Sequence, residues 1–281
     1  MESKVIIPMP TRLESTARPG ETQLLVPKEK AVHPLKVLIA GESWISHSIH
    51  QKGVDSFTTT VYEEGIGALR DALRSNNIDV DYQPAHIAST EFPATVEALS
   101  SYDCVVLSDI GANTLLLHPD LLKRSACQPN RLRALAEYVR GGGGLVMIGG
   151  YMTFGGIEGK ARWHGTPVED VLPVTVHDGD DRVEEPSGVI PVAESIEHPV
   201  LAGIDGQWPA LLGYNRVVAE PDAQILARVG NDPLIVVGTA GNGRSSVFSS
   251  DCSPHWAPAT FLEWPHYGRL WSQLISWTAA R

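Results

Sequence analysis

Three cysteines are the strongest nucleophiles that the sequence offers. Cys104, Cys127 and Cys252 lie far apart, so they form neither a CxxC metal motif nor the framework of a disulfide-bonded domain. We therefore predict three reduced thiols. Cys104 stands inside an apolar run and is interpreted as an inert core residue, because free cysteine is among the most buried residue types.

A second group of reactive side chains, Glu42, His47 and His50, follows the first apolar run. Two histidines and a carboxylate resemble a common metal-ligand set. Their spacing matches no zinc signature, however, so we interpret them as solvated loop residues and predict no metal site.

The glycine-rich stretch at residues 141–156 is the third candidate for chemistry. It contains neither a dinucleotide fingerprint nor a P-loop, and no cofactor is predicted. A helix starting near Thr153 would offer its N-terminus to an anion. Further along, the charged run from Asp180 through Asp181 to Arg182 is interpreted as an exposed turn.

Composition limits the class of protein to which these residues belong. The chain has 281 residues, 43% of them hydrophobic, and a formal net charge of −11. This size fits one large domain, and the acidic balance disfavours a nucleic-acid surface. No apolar run reaches the roughly 20 residues that span a bilayer, so we expect no membrane partner and a cytoplasmic location. Self-association into a homo-oligomer is compatible with this composition.

The order of elements favours a mostly parallel α/β sheet. Apolar runs near residues 36–41, 78–82, 103–109 and 145–149 predict buried strands, with helices at residues 62–76 and from about Pro129 to Gly141. A polar loop is predicted from Glu42 to Thr60, and turns dominate residues 178–209. Strand candidates follow at residues 224–229, 234–239 and 245–250, the last two joined by a hairpin turn, and a helix begins near Tyr267. Residues 1–34 are rich in proline and predict an extended arm before a domain at residues 35–281.

Parallel strands bring their carboxyl-end loops to one rim of the sheet. The loops after Gly41, Asp109 and Gly149 should therefore meet, although they are far apart in sequence. We expect a ligand crevice there.

Four stretches, read together, carry a family resemblance: GESW at residues 41–44, SDIGANTL at 108–115, MIGGYMTF at 147–154 and SDCSPHW at 250–256. They resemble the glutamine amidotransferase-like family within the class I glutamine amidotransferase superfamily, which also includes trehalose-utilisation-type (ThuA-like) proteins. The resemblance covers residue 35 to the C-terminus. It implies a three-layer α/β/α sandwich of flavodoxin-like type.

The resemblance also implies where catalytic groups should lie. A class I glutaminase carries a cysteine on a sharp turn after a strand, with a histidine and an orienting carboxylate. Here the nucleophile position falls at or beside Tyr151, so the cysteine is missing. His255 matches the histidine, with Asp251 or Glu263 as the carboxylate. We expect His255 to hold its proton beside acidic side chains.

The remaining loops of the rim are expected to bind a substrate. The resemblance places an oxyanion-binding loop at residues 109–114, where Gly111 could expose its backbone N–H. The expected substrate-binding residues are Glu42, Trp44, Asp109, Gly111 and Asn113.

Three hypotheses for function follow. The first is an amidotransferase-like protein that acts on or binds a small polar, sugar-like molecule by non-thiol chemistry; as an enzyme it would be hydrolase- or lyase-like. The second is a catalytically silent binding or scaffolding domain of the same fold. The third is a conventional glutaminase that uses a displaced cysteine, with Cys252 the candidate because it lies near His255 in sequence. A phenol of ordinary pKa near 10 is a poor nucleophile toward an amide, so we expect no glutaminase activity from Tyr151.

Overall fold

The chain forms an eight-stranded mixed sheet with helices on both faces. A computed structural model describes residues 34–280; the arm expected at residues 1–34 therefore lies outside the described residues except for Pro34. The strands are β1 (Leu35–Gly41), β2 (Ser43–Lys52), β3 (Asp55–Glu64), β4 (Ile78–Gln83), β5 (Cys104–Ser108), β6 (Gly144–Ile148), β7 (Val174–Val176), β8 (Arg182–Val189), β9 (Val192–Ala193), β10 (Leu211–Asn215), β11 (Val217–Ala219), β12 (Gln224–Val229), β13 (Asp232–Ala240) and β14 (Gly243–Phe248). The helices are α1 (Gly67–Ser75), α2 (Ala85–Glu91), α3 (Val96–Leu99), α4 (Ala112–Leu116), α5 (Pro119–Arg124), α6 (Arg131–Arg140), α7 (Ala259–Leu262) and α8 (Tyr267–Thr278).

The strand order in the main sheet is β4-β1-β5-β6-β14-β13-β12-β9. The first five strands are mutually parallel, and the last three are added antiparallel. The strands that end near Gly41, Asp109 and Gly149 are therefore parallel neighbours, as predicted. Their carboxyl ends lie at one rim.

Two cores cover the sheet, because neighbouring residues of a strand point to opposite faces. Val37 and Ile39 pack in one core with α1 and α8. Leu38 and Ala40 pack in the other core, which includes α6. Strands buried on both faces read as unbroken apolar runs. The predicted three-layer α/β/α sandwich is thus the observed fold, and no helix within residues 34–280 is long and apolar enough to cross a bilayer.

The prediction of a polar loop from Glu42 to Thr60 is wrong. Residues 43–64 form a hairpin of two ten-residue strands, β2 and β3, paired in register over their full length. His47 and His50 bond to Thr60 and Thr59, respectively. Almost all of the hairpin is exposed, so no buried face marked it in the sequence, and the following helix begins at Gly67 rather than near Tyr62.

The region after β6 also differs from expectation. No helix starts near Thr153: a tight turn and a short 3-10 turn at Ile157–Gly159 follow, and the next α-helix of the described chain after α6 is α7. Asp181 is buried rather than part of an exposed turn. Its carboxylate accepts hydrogen bonds from the backbone N–H groups of Gly155 (2.8 Å) and Gly156 (2.9 Å), so it holds the turn after β6 in shape.

Candidate functional site

A cavity of about 400 Å³ opens at the rim where β1, β5 and β6 end. Four loops that are distant in sequence contribute its walls, as the parallel topology requires. The residues that line it are Glu42, Trp44, Asp109, Tyr151, Met152, Ile157, Asp251, Ser253, Pro254 and His255. Six of the residues singled out in the sequence therefore lie together in one pocket.

Tyr151 and His255 face each other across this pocket. Their rings meet edge to face with centroids 4.1 Å apart, and Trp256 lies near both rings. The Tyr151 hydroxyl donates a hydrogen bond to Glu184 Oε1 at 3.0 Å, and Trp256 Nε1 donates to Glu184 Oε2 at the same distance. Burial raises the pKa of Tyr151, so the hydroxyl remains a neutral donor.

Asp251 and His255 place a carboxyl group and an imidazole side by side in the pocket. His255 Nδ1 lies 4.0 Å from Asp251 Oδ2. Burial raises the pKa of Asp251 well above its usual range, whereas burial lowers the pKa of His255. The two values therefore shift toward each other. The expectation that His255 holds its proton is wrong, since burial outweighs the fields of Glu184 and Asp109.

Glu42 is a buried carboxyl held by three side chains. Its oxygens accept hydrogen bonds from Ser108 Oγ and Ser253 Oγ, each at 2.5 Å, and the Cys252 Sγ lies 3.8 Å from Oε2. Burial, followed by the charge of Asp109, raises the pKa of Glu42 to about 7. Gly65 makes room for this arrangement, because a Cβ there would lie 2.5 Å from Glu42 Oε1.

The Asp109 carboxylate accepts a hydrogen bond from a backbone N–H group that an oxyanion hole would need. We call the sharp turn after β6, where the family resemblance places the nucleophile at or beside Tyr151, the elbow. The N–H of Met152, the residue after Tyr151, donates to Asp109 Oδ1 at 2.7 Å. Gly150 allows this close approach, since a Cβ at that position would lie 2.7 Å from the same oxygen. An oxyanion hole requires donors that are free to meet the developing charge, and the chain's own carboxylate already binds this one.

Three pocket residues carry backbone conformations that favour glycine. The φ angles are +48° at Glu42, +43° at Asp109 and +148° at His255. Such positions cost on the order of 1–3 kcal/mol each and cluster at functional sites. Their convergence on one cavity supports a role in binding or chemistry.

Not every predicted site residue lies in the cavity. Glu263 is exposed beside α7, and Asn113 is exposed on α4. Gly111 is buried behind Met152, whose Cε would lie 3.1 Å from a Cβ at Gly111. These three residues are therefore absent from the pocket lining, and Asp251 is the carboxylate beside His255.

Cys252 is a poor substitute for the missing elbow thiol. It is fully buried, and burial raises its pKa well above the usual range, with the nearby Glu42 adding to the effect. Together with Glu42 and Asp251 it forms the one group in residues 34–280 whose ligand atoms are spaced for a metal ion, all within 4.8 Å. Both Glu42 oxygens are already bonded to serines, so we derive no metal chemistry from this group.

Sequence reasoning missed several members of the pocket. Ser253 and Pro254 stand beside His255 in the SDCSPHW motif and could have been found from that position. Glu184 bonds to Tyr151 but does not line the cavity; it lies on β8, in a region predicted as turns, and the pairing of β8 with β10 positions it. No local signal in the sequence indicated it.

Comparison with known proteins places this architecture among class I glutamine amidotransferase-like folds. A ThuA-like protein from Parabacteroides merdae shares the fold at a TM-score of 0.57 and 15% identity, over 88% of this chain and 90% of that one. Residues 36–280 match the family described as "Putative glutamine amidotransferase", and the chain belongs to that family.

Two solved structures from Salmonella typhimurium are much more similar. Both are cytoplasmic proteins, each 48% identical to this chain, with TM-scores of 0.85 and 0.84. Each alignment covers 87% of this chain and 99% of the other. No curated protein matches the sequence.

Proposed function

We propose that the chain binds a small polar molecule in the rim pocket and transfers protons to and from it by acid–base chemistry, without a thiol nucleophile. The observation that carries this proposal is the Asp251 and His255 pair, whose side chains lie 4.0 Å apart with pKa values shifted toward each other. Acids and bases work best when their pKa values lie near the operating pH. A protonated Asp251 would donate to the ligand and a neutral His255 would accept.

The character of the pocket supports a ligand rich in hydroxyl groups. Carboxyls kept neutral by burial both donate and accept hydrogen bonds, and Asp251, whose pKa burial raises well above its usual range, is such a group at the pocket wall. Trp44, 37% exposed, adds an aromatic surface at the mouth. A sugar-like molecule has this combination of polar edges and apolar faces. We also place the chain in the cytoplasm, by analogy with the two Salmonella proteins.

Several observations argue against glutamine hydrolysis. Tyr151 stands where the cysteine is needed, the adjacent amide of Met152 is bound to Asp109, and no α-helix follows the turn to lower the pKa of a nucleophile. The family's descriptive name therefore does not extend to thioester chemistry in this chain.

Ligand-observed NMR with a panel of polyhydroxylated metabolites would test the proposal. We expect binding to wild type that weakens at least tenfold in Trp44→Ala. In His255→Gln, we expect binding to persist while turnover of the bound compound is lost. Leu122→Ala, at an exposed residue of α5 outside the pocket, serves as the control.

Binding that is insensitive to both pocket substitutions would contradict the proposed site. Binding without any turnover in wild type would instead support the silent binding domain.

A further inference from the structure

The hairpin formed by β2 and β3 is a feature of the described chain that the pocket does not explain. We call residues 43–64 the arm; this name does not refer to the N-terminal segment at residues 1–34. Its ten-pair ladder has no bulge and forms a separate two-stranded sheet within residues 34–280. An isolated two-stranded hairpin is marginally stable in water, so an arm of this length is expected to be covered.

The base of the arm is fixed to the domain. Ser43 accepts a hydrogen bond from the N–H of Ala85 at 2.8 Å, and the ring of Tyr62 packs against His86 of α2 with centroids 5.2 Å apart. Trp44 lies beside the pocket. The outer part of the arm, beyond these contacts, is exposed along both strands.

One face of the arm carries exposed isoleucines beyond its base. The register places Ile45, His47 and Ile49 on the same face as Thr58, Thr60 and Tyr62, and we call this set the isoleucine face. Tyr62, opposite Ile45, is where this face packs against His86 at the base of the arm. Ile49 is 78% exposed and Ile45 is 52% exposed.

On the opposite face Phe57 already stacks on His50, with ring centroids 4.6 Å apart. Phe57 is nevertheless 48% exposed, so both faces of the arm are open, and the isoleucine face is the one that carries Ile49, the most exposed apolar side chain of the two strands.

The arm also lacks the features that keep edge strands from pairing. Natural proteins protect exposed edges with charges, prolines or bulges. Residues 45–51 and 56–62 contain no Asp, Glu, Lys, Arg or Pro, and the charges are confined to the tip and the base. The surface that results is neutral on a chain of net charge −11.

We propose that the isoleucine face packs against the same face of a second copy of this chain. A neutral face fits a neutral partner, and association through it keeps the acidic domains of the two copies apart. A twofold axis lets each isoleucine meet its own equivalent or a threonine of the other arm, which is the self-complementary arrangement of an isologous interface.

The size of the arm determines how strong this association is. Ten residues at about 3.4 Å each, and two strands about 10 Å across, give one face roughly 340 Å² of projected area. That is below the ~800 Å² per partner of a standard interface. The dimer is therefore expected to be weak and concentration-dependent, dissociating on dilution.

Sedimentation velocity on the full chain over a dilution series tests the proposal. We expect wild type to shift from dimer to monomer as it is diluted, and Ile49→Lys to weaken the association at least tenfold. Leu122→Lys adds the same charge at another largely exposed apolar residue, on α5 and 67% exposed, and should associate as wild type does. Val61→Lys, on the opposite face of the arm, should also leave association unchanged.

A cross-linking experiment tests which surfaces meet. In a Cys127→Ser background the remaining cysteines, Cys104 and Cys252, are buried. A short bifunctional maleimide should then join Ile49→Cys chains into a covalent dimer and leave Leu122→Cys chains monomeric.

Several outcomes would overturn the proposal. They are a wild type that stays monomeric at 100 µM, a dimer that Ile49→Lys leaves intact, or a dimer that only Val61→Lys disrupts. Equal melting temperatures for the variants would show that each result reflects association rather than unfolding. Ligand binding in the pocket is measured separately, so failure here leaves the proposed function standing.

Discussion

The ring of Tyr151 covers one edge of the His255 imidazole, with the two centroids 4.1 Å apart. This contact contributes to the burial that lowers the pKa of His255. Removing the phenol admits water to the imidazole, and water stabilises the charged form. We therefore expect His255 to titrate below its usual range in wild type and at higher pH in Tyr151→Ala.

The measurement is a pH titration of the histidine ring resonances by NMR, with His255 assigned from the spectrum of His255→Gln. Tyr62→Ala, which removes an aromatic ring from the arm, is the matched control and should leave the His255 midpoint in place. An unchanged midpoint in Tyr151→Ala would show that other groups, rather than this ring, set the pKa.

The elbow should not become a glutaminase when its cysteine is restored. Tyr151→Cys supplies the thiol, but the Met152 amide stays bound to Asp109 at 2.7 Å and no α-helix follows the turn. We expect ammonia release from glutamine to remain at background in wild type, Tyr151→Cys, Cys104→Ala and Cys252→Ala. Robust ammonia release from wild type that disappears in Cys252→Ala would show that Cys252 is the nucleophile.

Gly65 should resist the smallest substitution. A Cβ at this position would lie 2.5 Å from Glu42 Oε1 and 2.7 Å from Ser253 Oγ, so Gly65→Ala must push apart a buried hydrogen-bonded group. We expect a loss of about 1–3 kcal/mol in the free energy of unfolding, measured by urea denaturation. Gly67→Ala, two residues further on at the start of α1 with no atom near its Cβ, should be neutral or stabilising by up to ~1 kcal/mol. Similar losses in both variants would argue against the steric explanation.

Glu42 should make the protein less stable as the pH rises. Its pKa is raised from 4.5 to about 7 by burial and by Asp109, so the folded state binds a proton more tightly than the unfolded state does. The stabilisation is complete below about pH 4.5 and is lost as the pH rises through about 7. We expect the loss in the free energy of unfolding between pH 5 and pH 8 to be smaller in Glu42→Gln, by on the order of 1–3 kcal/mol.

Urea denaturation of both proteins at the two pH values gives this difference. Exposed Glu263→Gln, which makes the same chemical change outside the pocket, should reproduce the wild-type pH dependence. A Glu42→Gln variant with the full wild-type loss would show that Glu42 is already ionised at pH 5 in the folded state.

The parallel sheet and its rim could be predicted because both depend on local sequence patterns. Apolar runs such as Lys36 to Gly41 and Leu145 to Gly149 have no polar alternation, which is typical of strands buried on both faces. Parallel topology then requires their carboxyl ends to meet. The proximity of Glu42, Asp109 and Tyr151 followed from that geometry.

The arm and the outer wall of the pocket could not be predicted in the same way. Ser, Thr and His alternate with apolar residues in β2 and β3, and both faces are exposed, so no buried stripe set the period. Glu184 reaches Tyr151 through an antiparallel pair closed over a long loop. Asp181 is paired with backbone amides from a distant turn, and the local sequence resembles an ordinary surface turn.

The positive φ angles at Glu42, Asp109 and His255 also bear on how the molecule tolerates substitution. Replacement of these residues by glycine would relieve the strain at all three positions, and replacement of Glu42 by an apolar group would remove a buried acid. A selection for thermal stability alone would therefore tend to erase the pocket. If these side chains persist among closely similar proteins, their persistence reflects selection for what the pocket does, at the expense of how firmly the chain folds.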